Sequence, residues 1–116
     1  MIRGLHAMFY SSKAAELRAF FRDKLGFDGT DVGDGWLIFG VPEADLGVHP
    51  TEGDDAASGT ADISFYCDDI EATVRELEAR GVEFTQRIED HGYGFVTLFK
   101  VPGDFLVQLY QPKYEK

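Results

Sequence analysis

The chain reads as one short arrangement written twice. Residues 5–10, Leu-His-Ala-Met-Phe-Tyr, are echoed at 61–66 by Ala-Asp-Ile-Ser-Phe-Tyr. Each run leads into helical spacing, then a Gly with an apolar residue behind it (Gly26-Phe27, Gly81-Val82). An aromatic strand follows, closed by Val41-Pro42 in one case and Val101-Pro102 in the other. A strand–helix–strand–strand–strand unit of this size cannot bury its apolar face alone, so its recurrence predicts paired modules with a cavity between them. We take 1–50 as the first module, 51–60 as a connecting loop without large apolar side chains, and 61–116 as the second, all in one domain.

Local patterns place the elements. Residues 4–11 alternate, Leu5, Ala7 and Phe9 against His6, Met8 and Tyr10, which predicts a strand. Ser12 is the expected N-cap of a helix over 13–25, whose stripe is Ala14, Leu17, Phe21 and Leu25, with Gly26 as its stop. A weak strand over 27–32, a turn at Asp34-Gly35 and a strand over 36–39 follow, with Trp36 expected in the core. Asp45 to His49 is the fourth strand, ended by Pro50. In the second module, Ile63, Phe65 and Cys67 alternate with Asp62, Ser64 and Tyr66. Asp68 and Glu71 have capping-box spacing, and Ile70, Val74 and Leu77 form the helix stripe up to Gly81. Strands are expected over 82–86, 95–101 and 105–110, with a turn at 90–94 that leaves His91 in solvent.

The apolar face of each sheet must meet its helix. The opposite face then carries His6, Met8 and Tyr10; Gly47 and His49; Asp62, Ser64 and Tyr66; and Gln108 and Tyr110. If the sheets curve together, this polar and aromatic set lines a shared cavity.

Charge narrows the partners. The net charge is −10, with 21 acidic residues against 11 basic. That disfavours nucleic acid and anionic membranes, both of which require clustered Lys and Arg. Cys67 is the single cysteine, so no intrachain disulfide forms, and it is expected to pack as a small hydrophobe. With no apolar leader or membrane-length run, the expected location is cytoplasmic.

The stretches Leu5 to Tyr10, Ala19-Phe20-Phe21-Arg22-Asp23-Lys24-Leu25-Gly26-Phe27, Leu46 to Pro50, Cys67-Asp68-Asp69-Ile70 through Arg80-Gly81-Val82, and Gly92-Tyr93-Gly94 through Tyr110 resemble the vicinal oxygen chelate superfamily. That group includes glyoxalase I, bleomycin- and fosfomycin-resistance proteins and extradiol dioxygenases. The resemblance implies an α+β fold of two βαβββ modules forming a cupped, mostly antiparallel sheet with helices outside, and a homodimer whose modules pair within one chain or across two. It also implies a cavity holding one divalent metal (Zn, Ni, Fe or Mn), bound by a His on the first strand of each module and a Glu on the final strand. Here His6 keeps the first of these positions, Asp62 replaces the second His, and Gln108 replaces the Glu. Gly47 offers no ligand at the fourth, with His49 two residues along as a substitute.

The candidate metal ligands are therefore His6, His49 and Gln108, the candidate base is Asp62, and the candidate ligand-binding residues are Tyr10, His49, Ser64, Gln108 and Tyr110. Three readings stay open: a metal-dependent lyase, isomerase or dioxygenase; a metal-free protein that binds or sequesters a small molecule such as an antibiotic; and a module without a small-molecule ligand.

Overall fold

The computed structural model describes residues 6–45, 57–58 and 60–114. Along the chain run α1 (Ala14–Asp23), β1 (Gly29–Asp31), β2 (Leu37–Phe39), β3 (Ser64–Tyr66), α2 (Ile70–Ala79), β4 (Glu89–Asp90), β5 (Gly94–Val101) and β6 (Phe105–Pro112). The fold is α+β. β1 and β2 form an antiparallel pair, and the other strands form a sheet in the order β3-β6-β5-β4. Within that sheet β3 runs parallel to β6 and the remaining pairs are antiparallel. The second half thus shows the complete βαβββ order. The first half shows helix–strand–strand, and its expected last strand, 45–49, lies almost wholly outside the described residues.

Helix α2 is bounded by local chemistry at both ends. Asp69 is its N-cap, accepting from the Ala72 N–H at 3.1 Å. The cap sits one residue beyond the Asp68–Glu71 box read from the sequence. The side-chain oxygen of Gln111 takes the Ile70 N–H at 2.8 Å, which ties the first helical residue to the end of β6. At the other end Gly81 has φ +89°, donates to Glu78 O at 2.9 Å, and lets Val82 N–H reach Leu77 O at 3.0 Å. This is a Schellman closure, and the residues it joins, Leu77 and Val82, are both buried.

Helix α1 begins differently from the expectation. Lys13 holds the cap position with no side-chain cap, and Ser12 is not used. The Ser11 hydroxyl accepts from Lys13 N–H at 3.0 Å and donates to Pro102 O at 2.9 Å, fastening the helix start to the β5–β6 turn. Residues 6–11, expected as a strand, have no ladder partner among the described residues. Alternation without a neighbouring strand makes no sheet, and what holds this stretch is Phe9, packed on Phe21, Phe65 and Phe105. The expected strand over 82–86 reduces to one bridge, Phe84 to Phe99, flanked by Thr85 N–H to Leu98 O and Lys100 N–H to Glu83 O. Trp36 is not core: it is 49% exposed, beneath the Arg18 guanidinium at 4.7 Å from the ring centroid. The left-handed Asp34-Gly35 turn ends the hairpin beside it and carries the indole outward.

The core lies between the helices and the inner face of the large sheet. Leu17 and Phe21 of α1 and Ile70 and Leu77 of α2 meet Phe99, Val101, Val107 and Leu109. Thr97, 1% exposed, donates its hydroxyl to Gln86 O at 2.9 Å. The helices also meet at their C-terminal ends, where Arg80 donates to Lys24 O at 3.0 Å while holding Glu76 at 2.7 Å. Among the described residues no helix is long and apolar enough to cross a membrane.

Two stability measurements check this description. Gly81→Ala places a side chain in the left-handed region and is expected to cost about 1–2 kcal/mol in urea unfolding. Thr97→Val leaves the half-buried Gln86 carbonyl without its donor and is expected to cost about 1–2 kcal/mol, with Thr97→Ser recovering most of it.

Candidate functional site

The outer face of the large sheet positions the site, and strand register decides its membership. Side chains alternate across a strand, so while Phe65, Leu109 and Val107 point into the core, their neighbours point out. Ser64 lies opposite Gln108, and Leu98 lies opposite Gln108 on the other side. One step along, Tyr66 pairs with Tyr110, and Tyr110 with Val96. One face therefore carries a polar row, Ser64 and Gln108 with Leu98, beside an aromatic row of Tyr66 and Tyr110.

The polar row floors a concave pocket of about 310 Å³ lined by Asp62, Ile63, Ser64, Tyr93, Leu98, Leu106 and Gln108. Gln108 Nε2 donates to Ser64 Oγ at 3.1 Å. That bond fixes the amide, leaving its carbonyl oxygen to accept and the Ser64 hydroxyl hydrogen to donate. Asp62 is exposed at the edge and makes no hydrogen bond or ion pair with the described residues. Leu106, 45% exposed, and Leu98 supply apolar wall, and Tyr93, 54% exposed, stands at the rim.

Beyond the pocket the tyrosines form a shelf. The rings of Tyr93 and Tyr110 lie 5.9 Å apart, and those of Tyr110 and Tyr114 6.3 Å apart. Gly94 makes this possible, since a Cβ there would collide with the Tyr110 ring. Tyr66 Oη donates to Glu43 Oε2, and Tyr114 Oη donates to Asp45 Oδ2 at 3.2 Å, so the segment before the expected fourth strand reaches the edge of the shelf. The hydrogen bond to Glu43, with burial and the carboxylate charge behind it, pushes the Tyr66 phenol up to about 12. Burial first, then Tyr114, raises that of Tyr110. Cys67, half-buried, has its thiol raised chiefly by burial, which suits packing over reactivity.

Of the residues singled out in the sequence, the pocket brings together Asp62, Ser64 and Gln108, with Tyr110 on the adjoining shelf. His6 is exposed and does not line the pocket, nor does Tyr10, 90% exposed. His49 lies outside the described residues. His91 is exposed in its turn and pairs with Glu89 at 2.9 Å. The sequence reading passed over Tyr93, Leu98 and Leu106 as pocket residues. Period-two counting along 95–110 puts Leu98 and Leu106 on the Gln108 face, whereas nothing periodic marks Tyr93, which sits in a turn.

Among the described residues no three His, Cys, Asp or Glu side chains gather where they could hold a metal. Among the described residues the pocket offers one carboxylate, one neutral amide and two hydroxyls, those of Ser64 and Tyr93, a poor set for a Zn, Ni, Fe or Mn ion. The described residues do not fit the metal that the resemblance implies.

Comparison with known proteins agrees with the architecture. TnmS3, an antibiotic binding protein from Streptomyces sp. CB03234, superposes with a TM-score of 0.66 at 20% identity, covering 97% of this chain and 100% of that one. The lactoylglutathione lyase of Agrobacterium tumefaciens gives 0.62 at 16% identity over 89% and 88%. The genomically encoded fosfomycin resistance protein FosX of Listeria monocytogenes gives 0.58 at 18% over 100% and 96%. At such identities the likeness shows the fold alone. Among curated proteins none matches the chain. The family model of the Glyoxalase/Bleomycin resistance protein/Dioxygenase superfamily matches residues 4–109, nearly the whole chain, and the protein belongs to that superfamily.

Proposed function

We propose that this protein binds a small molecule in the pocket on the outer face of β3, β5 and β6, and holds it without transforming it. The observation that carries this reading is the Gln108–Ser64 hydrogen bond flanked by Leu98, Leu106 and Tyr93. A fixed amide orients a ligand by donating and accepting, and apolar walls supply affinity. Such a combination is typical of binding sites, and the volume falls within their usual range of roughly 300–1,000 Å³. A general base in this reading would be Asp62, but the sequence position that would supply its usual metal partner holds an amide. The antibiotic-binding neighbour TnmS3 supports binding as an end in itself.

In this reading the protein works in the cytoplasm as a homodimer. The exposed Leu106 and Tyr93 leave the pocket open on one side, where a second copy would narrow it.

The test uses protein purified without nickel affinity, treated with EDTA and desalted, then titrated calorimetrically with 2-naphthamide, a neutral aromatic amide. We expect saturable binding, recovery of the amide unchanged by mass spectrometry, and roughly tenfold weaker binding by Gln108→Leu. Stoichiometric Zn, Ni, Fe or Mn in untreated protein, lost in His6→Ala, would overturn the reading in favour of a metalloenzyme. Absence of saturable binding would remove the pocket from consideration.

A further inference from the structure

We infer that the pocket selects ligands bearing a cationic, hydrogen-bond-donating head such as an amidinium, guanidinium or ammonium group, and rejects anionic ones. This rests on the binding reading above and names the chemical class that the site takes.

Three independent features lead there. The first is the direction of the hydrogen bonds. Gln108 spends one Nε2 hydrogen on Ser64, so its carbonyl oxygen is left as an acceptor facing no donor among the described residues. Asp62, when ionised, only accepts. The second Nε2 hydrogen and the Ser64 and Tyr93 hydroxyls can also donate, so a neutral head is accommodated, while the two acceptor-only oxygens of Asp62 favour a head that brings hydrogens.

Charge is the second feature. Among the described residues the pocket lining has no Lys, Arg or His, and its one carboxylate, Asp62, has no counter-ion. Lys100, one row away on β5, has its ammonium at 2.8 Å from Glu83. Lys113, at the far end of β6, is held by Asp90 at 2.7 Å. Both are paired with carboxylates, and neither lines the pocket. The chain as a whole, at −10, adds a long-range field of the same sign.

The aromatic shelf is the third. Tyr93 borders the pocket and leads into the Tyr110 and Tyr114 rings, with Glu43 and Asp45 bonded to the tyrosine hydroxyls behind them. Ring faces attract cations through their quadrupole, more strongly where the cation is partly desolvated. Among the described lining residues an oxyanion finds no positive charge.

A matched trio decides it: 2-naphthamidine, 2-naphthamide and 2-naphthoate, which share a ring system and differ in head charge. Calorimetric dissociation constants would be compared at low and high salt. The expected order is amidine tightest, by roughly tenfold over the amide, with the carboxylate weakest. The amidine advantage should shrink as salt rises, because exposed charges are screened. In Asp62→Asn, an exposed position where folding should be unaffected, the amidine-to-amide ratio should collapse towards one. Tyr93→Leu should weaken the amidine more than the amide. If the amide binds and the amidine shows no advantage, or if the carboxylate binds tightest, the cation inference fails while the binding reading stands. An amidine preference untouched by Asp62→Asn and by Tyr93→Leu would also overturn it. Failure of all three probes to bind would remove both readings together.

Discussion

Phe21 joins the two halves of this protein. Its ring, carried on α1, lies 5.6 to 5.8 Å from those of Phe9, Phe27, Phe39 and Phe65. Three of these partners come from the first half, and Phe65 comes from β3 in the second. Aromatic pairs in tilted and edge-on arrangements each add about 0.5–1.5 kcal/mol beyond the area they bury. The cluster therefore does more than fill space, since it fixes where β3 lies relative to the first helix. Once Phe65 is set inward, alternation leaves Ser64 and Tyr66 no choice but the outer face.

That link explains why the site sits where it does. The residues that seal the core and those that line the pocket are interleaved along the same strands: Phe65 between Ser64 and Tyr66, Leu109 between Gln108 and Tyr110. Packing on one side specifies geometry on the other. Within this frame the polar character of the pocket comes from Asp62, Ser64 and Gln108, and the Gln108 amide is the group held in place by a hydrogen bond. An amide held by Ser64 can orient a ligand, whereas it has neither the charge to anchor a cation by itself nor the basicity to move a proton.

Much of this was legible before any coordinates. Both helices, both glycine stops and the β5–β6 hairpin follow from spacing and turn residues, because those signals are local. The common face of Ser64 and Gln108 followed too, since two alternating strands with apolar cores allow one arrangement. What failed depended on partners distant in sequence. Residues 6–11 have the pattern of a strand but lack a described neighbour to pair with. The cap of α2 moved by one residue because Gln111, far along the chain, claims the Ile70 N–H. Trp36 looked like core by composition, and a turn with Asp34 at φ +52° carried it outward under Arg18. Tyr93 was invisible as a pocket residue, since a turn has no period to betray which way its side chain leans.

The parallel pairing of β3 with β6 has a consequence for how the site comes into being. Ser64 and Gln108 are 44 residues apart, and between them lie α2, β4 and β5. Closing so long a loop demands entropy that only contacts made afterwards can repay, so such pairings tend to form late and slowly. A chain emerging from the ribosome can complete α1 and its phenylalanines first. The proposed pocket is complete only after β6, the last described strand, has been released. Until then the unpaired edge of β3 stays open to other chains, and a molecule that fits the finished pocket would pull the slowest step of maturation towards completion.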